Sequence, residues 1–291
     1  MSSLPESPFT SNREAADEKR KALRSRIDAS LDGLAKSIDD VRASESFQAF
    51  LNVQAKFHRY SWHNTMLIAI QRPDATNVAG FQRWRELGRF VRKGERGIAI
   101  FAPCPFKRAE KRDDGTEETR EGIYFKIVHV FDVAQTDGEA LPSVEVPDVQ
   151  AAADSLLASL ERVAHSRGIA VNYAELRAGH FGTSKGGSVD IATGYATGQQ
   201  AKTLAHELAH EAMHKERGLK LDRNTAELEA ESVAYVVCRH FGLDVEVRAS
   251  RYIALWGGDS QALRASLERI ADTARGIIDA IDGLEAGKAV A

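Results

Sequence analysis

The chain has 291 residues, of which 43% are hydrophobic and 28% charged, an ordinary globular composition for one large or two modest domains. With 39 Lys and Arg against 42 Asp and Glu the net charge is −3, a balance that, taken whole, argues against a nucleic-acid binder. No run approaches the roughly 18 apolar residues of a membrane span, and the first residues lack a basic-then-apolar secretion signal. Cys104 and Cys238 stand alone, which excludes a disulfide scaffold and a cysteine zinc knuckle and points to the reduced cytoplasm.

In chain order, residues 1–12 are Ser- and Pro-rich and are expected to be disordered. Leu23, Ile27, Leu31, Leu34, Ile38 and Val41 then recur every three or four residues, the stripe of an amphipathic helix with a weak point at Gly33. A second helix is expected over 45–71, stopped by Arg72-Pro73-Asp74. A small mixed unit follows: a short helix over 80–87, a hairpin-type turn at 93–97, a strand from Ile98, and a second strand over 123–133 that pairs with it. The charged stretch 107–121 between them reads as a solvated loop. Residues 138–149 carry Gly138, Pro142 and Pro147 and are the linker candidate. Beyond it come a helix over 149–167, short strands near 169–173 and 187–192, and helices over 198–217, 224–241 and 259–285. The fold class expected is α+β: a flexible arm and helix (1–44), a small α/β domain (45–137), a linker (138–149), and a mostly helical domain with a short sheet (150–291).

Within the helix over 198–217 stands His206-Glu207-Leu208-Ala209-His210, the HExxH pattern. Residues four apart share a helix face about 5–6 Å apart, so both imidazoles can reach one cation, zinc or another divalent metal. Glu207 sits beside them, where it can take a proton from a metal-bound water. Thr197 and Gln200 have the spacing of a capping box for this helix. His214 lies about 12 Å along the axis from His206, too far to join both histidines on one ion, and is expected to support the site from outside. The third ligand is sought in the next helix, in Glu-Leu-Glu-Ala-Glu. Glu227 and Glu231 share a face there, and Glu229 points roughly 160° away. That face by itself admits either carboxylate. The pattern resembles the ExxxD of thermolysin-like gluzincins, which makes Glu227 the expected ligand and Glu231 the carboxylate that orients a ligand histidine. The strand over 187–192 is the expected sheet edge for an extended peptide, and Tyr195 or Tyr252 could stabilise an oxyanion.

The overall charge conceals an asymmetry. From Lys56 to Arg112 there are 13 Lys and Arg against 4 Asp and Glu, a net of +9, leaving −12 for the rest. Aromatics are interleaved with these cations. Charge for phosphates and π faces for bases are what single-strand binding needs, and Tyr60, Trp62, Arg83, Trp84, Arg89, Arg92, Lys93 and Arg96 are the candidates.

The run YSWHNTMLIAIQRPDATNVAGFQRWRELGRFVRKGERGIAIFAP, followed by FKIVHVFDVAQT, resembles the N-terminal single-stranded-DNA-binding domain of ArdC-type antirestriction proteins. The later HELAHEAMH, ELEAESVAYVVCRHFGLD and YIALW resemble the zincin-like domain of that family and of the related ImmA/IrrE group. Together the resemblance covers about residues 45–285. It implies single-stranded DNA as a partner, a link to mobile elements, and a metallopeptidase-like second domain acting on an unknown protein substrate. In it His206 and His210 are metal ligands, Glu207 the general base and Glu227 the ligand carboxylate. Glu231 stands where relatives carry Asn or Asp. Two other readings follow from the same residues: a non-enzymatic binder protecting DNA by occupancy, and an ImmA/IrrE-like peptidase that cleaves a repressor.

Overall fold

Leu23, Ile27, Leu31 and Leu34 are buried along one stripe of α1 (Pro8–Ala35), as their spacing requires. The computed structural model describes residues 8–35, 40–111, 117–141, 149–215, 223–245 and 259–288. The helix α1 begins at Pro8, inside the stretch expected to be disordered, and passes through Gly33 unbroken. Proline is tolerated in a first helical turn because its missing N–H is one of the orphan donors there.

The single helix expected over 45–71 is two, α2 (Asp40–Lys56) and α3 (Trp62–Gln71). Residues 57–61 form a non-helical turn between them, and Phe57, His58 and Trp62 are all buried. The Tyr60 amide bonds to the Phe57 carbonyl at 2.9 Å, and the Ser61 hydroxyl accepts the Asn64 amide at 3.4 Å to restart the helix. The Arg275 guanidinium donates to the carbonyls of His58 and Tyr60 at 2.8 and 2.9 Å, satisfying the open turn.

The chain divides into two compact units, one of residues 1–29 and 66–141, the other of residues 30–65 and 142–291. In this division residues 45–65 group with the second unit. The reason is apolar packing. In α2, Phe47, Phe50 and Leu51 are fully buried, and Asn52 Oδ1 accepts from the Tyr235 hydroxyl at 2.5 Å.

In the first unit β1 (Val78–Gly80), β4 (Glu117–Asp132) and β3 (Ile98–Lys111) form an antiparallel sheet in the order β1-β4-β3. The pairing of β3 with β4 runs through most of the stretch expected to be a loop, from Ile98 opposite Val130 to Lys111 opposite Glu117. Opposite charges meet across the ladder, Lys107 Nζ lying 2.6 Å from Glu121 Oε1, so charged composition here marks an exposed hairpin and not a loop. The short helix α4 (Phe81–Glu86) buries Trp84, whose indole N–H donates to the Phe131 carbonyl at 2.8 Å. A second pair, β2 (Arg89–Val91) and β5 (Thr136–Gly138), begins the stretch expected to be linker, and residues 142–148 of that stretch lie outside the described residues.

The second unit holds α5 (Val149–Ser166), a three-stranded sheet and α6 (Thr197–His210), α7 (Arg223–His240) and α8 (Ser260–Lys288). Leu160, Leu204, Leu208, Val236 and Ile277 lie at its centre, each with no exposed surface. In the sheet, β6 (Ala170–Ala174) runs parallel to β8 (Ser188–Ala192), and β7 (Gly182–Ser184) runs antiparallel to it. Both units mix helix and strand, and the fold class is α+β. Among the described residues no helix is long and apolar enough to cross a membrane.

Candidate functional site

The helix α6 begins at Ala196 without a side-chain cap, and Gln200 donates instead to the Ala192 carbonyl at 3.0 Å, so the expected capping box does not form. One face of α6 buries Ala205 and Ala209 against α7, where Ala230 and Ala234 are equally buried. Small side chains on both helices allow the close approach that brings a carboxylate of α7 to the imidazoles of α6. Directly after His210 the helix widens into a π-helical turn over Glu211–Lys215.

His206 Nε2 and His210 Nε2 are 3.0 Å apart, and Glu227 Oε2 lies 3.4 Å from the first and 3.7 Å from the second. A tetrahedral cation with bonds of about 2.0–2.1 Å has donor–donor edges of about 3.3 Å. The three separations bracket that value, and two nitrogens and a carboxylate oxygen suit a borderline divalent ion, so the donor set fits a single cation. Glu231 occupies a different place. Its carboxylate lies 3.5 Å from Nδ1 of His206, on the far side of the ring, and accepts from Lys202 Nζ at 2.6 Å. The two carboxylates of the shared face therefore meet opposite edges of one imidazole.

Burial lowers the pKa of His206, yet contacts with Glu227 and Glu231 outweigh it and raise the group to about 9. The same histidines hold the Glu227 carboxyl far below its ordinary value. Burial pushes Glu231 upward, but His206 and Lys202 prevail and hold it low. Glu207 goes the other way. It is 7% exposed, and burial raises its pKa even though the Ser184 backbone N–H donates to it. Proton linkage gives a measurable consequence. At pH 7 the metal-free His206 carries a proton that a cation must displace, so metal titration in buffers of different ionisation enthalpy should show proton release and an affinity rising with pH up to about 9. In the metal-free chain the same pairing stabilises the fold fully below about pH 6.5 and is lost as pH rises through about 9.

The strand over 188–192 is not the edge. It is the central strand, bonded on both sides, and the edge facing α6 is β7. A Cβ on Gly182 would lie 2.5 Å from Thr203 Cγ2 and 2.9 Å from Glu207 Oε1, so only glycine lets β7 cross α6 this closely. Glu211, 3% exposed, accepts from the Ser184 hydroxyl at 2.6 Å and from the Gly186 and Gly187 amides at 2.8 Å. Those glycines have φ of +79° and +86°, which L side chains rarely adopt, and the carboxylate locks their turn and with it the position of β7. Sequence reading passed over Glu211, although it stands one residue beyond His210. Residues 179–184, with His206, Glu207, His210 and Glu227, line an open cleft of about 770 Å³, room for several substrate side chains. Tyr195 is exposed and packs edge-on against Phe181 at 4.9 Å, while Tyr252 and the side chain of His214 lie outside the described residues.

The nucleic-acid candidates divide. Trp62 and Trp84 are 3% and 1% exposed, so neither presents a ring to a base. Tyr60 is half-buried with its ring edge-on to Phe57 at 6.1 Å, and it belongs with Trp62 to the second unit. Arg89 donates to the Thr136 hydroxyl at 2.8 Å and to the Thr136 carbonyl at 3.0 Å, a clamp between β2 and β5. Arg92 pairs with Glu95 at 2.9 Å and Asp137 at 3.2 Å, and Arg83 with Glu86 at 3.0 Å. Lys93 and Arg96 are exposed. Among the described residues, the exposed rings of this unit are Phe81, Phe90, Phe106, Tyr124 and Phe125, the last three on the β3–β4 hairpin and absent from the candidates. Register puts Phe106 and Tyr124 on one face, with centroids 6.3 Å apart, and Ile123 and Phe125 on the other. Apolar residues at consecutive strand positions read as burial in the sequence. Here they lie on a hairpin arm with both faces open.

The family described as the N-terminal domain of anti-restriction factor ArdC matches residues 18–131. An uncharacterized protein of Bacillus anthracis is 26% identical over 287 residues, covering 82% of this chain and 48% of that protein. The chain thus spans about half the length of the curated relative it matches. Among solved structures, the metal-free antirestriction ArdC protein from the R388 plasmid aligns with a TM-score of 0.48 at 22% identity, covering 78% of this chain and 84% of that one. Its Mn(II)-bound form aligns with a TM-score of 0.47 at 20% identity over 77% and 84%. The matched stretch starts earlier than the expected resemblance, within α1, and ends at the close of β4. Over residues 18–131, and by the family model over that stretch alone, the chain is similar to the N-terminal domain of anti-restriction factor ArdC.

Proposed function

We propose that the second unit is a metal-dependent peptide hydrolase and the first a single-stranded-DNA binder, together serving antirestriction in the cytoplasm. The observation that carries the hydrolase reading is the donor triangle of His206, His210 and Glu227 beside a buried carboxylate that is not part of it. When bound there, zinc or another divalent cation supplies Lewis-acid polarisation of a peptide carbonyl and of the attacking water. Glu231 holds the His206 ring so that Nε2 faces Glu227 and His210, and Lys202 fixes Glu231 in turn. Glu207 accepts a proton on its carboxylate and returns it to the leaving amine, with burial tuning its pKa upward for that exchange. The free edge of β7, set by Glu211 and by Gly182, offers backbone groups to an extended peptide beside Glu207.

The test is a peptide library incubated with the full chain after zinc or manganese loading and after chelation. Cleavage is expected only with metal, and a metal-loaded chain that cleaves no peptide overturns the reading. The DNA-binding proposal rests on the β3–β4 hairpin. Replacing Tyr124 and Phe106 by Ala should weaken single-stranded oligonucleotide binding by about 1–3 kcal/mol for each lost stack, measured by fluorescence anisotropy. Double-stranded binding should change little. Unaltered single-strand affinity, or affinity insensitive to salt, counts against this surface.

A further inference from the structure

Within the second unit a separate cluster gathers at the turn between α2 and α3. His58 is 7% exposed, and neither of its ring nitrogens makes a hydrogen bond among the described residues. An imidazole withdrawn from water without partners is costly unless something else meets its lone pair. Its ring lies 4.4 Å from that of His240, at 71°. Nδ1 of His240 is 2.9 Å from the Ala55 carbonyl, and since a carbonyl can only accept, that nitrogen carries the hydrogen. With Nδ1 so engaged, Nε2 is the nitrogen left to face a cation, the orientation a carbonyl partner imposes on metal-ligating histidines. One donor atom each from His58, His240 and Asp282 lies within 4.8 Å of the others. A second carboxylate, Asp279, is 3.8 Å from His58 Nε2 and shares the α8 face three residues before Asp282.

We infer that His58, His240 and Asp282 form a second divalent-cation site, with Asp279 at hand as a fourth donor. Two imidazoles and one or two carboxylates are a zinc-type donor set. Arg59 lies 3.5 Å from Asp282, but its side chain is 75% exposed and can swing into solvent as the ion enters. The site is structural in kind. It ties the α2–α3 turn, the end of α7 and α8, segments far apart in the chain, and a bound ion there adds its binding free energy to folding. It shares no residue with the HExxH cluster.

The experiment separates the two sites. His206→Ala combined with His210→Ala removes the first donor set and leaves the second. After dialysis against zinc, atomic emission should count a single zinc per chain in this double variant, and zinc should raise its melting temperature. Adding Asp282→Asn, a change at a half-exposed position, should abolish both effects while circular dichroism stays unchanged. In the otherwise unaltered chain the same Asp282→Asn should lower the zinc count by one, which keeps the test open should the double variant fold poorly. A double variant that folds and takes up no zinc overturns the proposal, and so does a zinc count indifferent to Asp282→Asn.

Discussion

Replacing Glu207 by Gln is expected to lower kcat/KM for peptide cleavage by about 10²–10⁴, the usual contribution of a positioned general base. The change is close to isosteric. The amide can still accept from the Ser184 backbone N–H and fits under Gly182, but it cannot take up a proton. His206, His210 and Glu227 keep their donor atoms, so metal uptake should be unaltered, and so should oligonucleotide binding by the first unit. Because burial holds the Glu207 pKa above the ordinary glutamate value, activity of the unaltered chain should fall on acidification at a higher pH than a solvent-exposed glutamate would dictate. Cleavage retained to within a few-fold would remove Glu207 from the mechanism. An antirestriction assay of the same variant then distinguishes cleavage from occupancy: full protection by Glu207→Gln favours DNA coverage as the protective act.

Glu229→Ala should destabilise the second unit by about 3–5 kcal/mol in chemical denaturation, the cost of stranding one partner of a buried ion pair. Glu229 has no exposed surface. It accepts from Arg269 Nε at 3.0 and 3.1 Å on its two oxygens, from the guanidinium terminus, and from the Ser266 hydroxyl at 2.5 Å. The pair joins α7 to α8 and sets the rotation of α7 that presents Glu227 and Glu231 to α6. A loss of metal affinity should accompany the loss of stability. Truncating both partners together should recover part of it, because the uncompensated charge then disappears. A change below about 1 kcal/mol would mean that the alanine site admits water to Arg269.

Some of this was legible from the residues. His206, Glu207 and His210 are separated by less than two turns of helix, so any α-helix brings them together. The same holds for Glu227 and Glu231, which one face of α7 carries. The two strands at Ile98 and Ile123 were visible as apolar runs, and their pairing followed from their adjacency. The aromatics were harder. Trp62, Trp84, Phe106 and Tyr124 look alike in a basic, aromatic stretch, and only packing assigns the first two to the interior and the last two to an exposed arm.

What the sequence determined by itself is the part written in short periods: most of the helices, the candidate pair His206 and His210 with Glu207 beside it, and a basic stretch set in an acidic remainder. Bond geometry fixes those relations over a few residues, whatever the rest of the chain does. Tertiary structure decided the rest. It set which of two carboxylates faces both Nε2 atoms, which strand is the edge, which compact unit residues 45–65 join, and that His58 meets His240 and Asp282. Each of these depends on contacts between segments tens to hundreds of residues apart, which depend on how whole surfaces pack and leave no periodic trace along the chain.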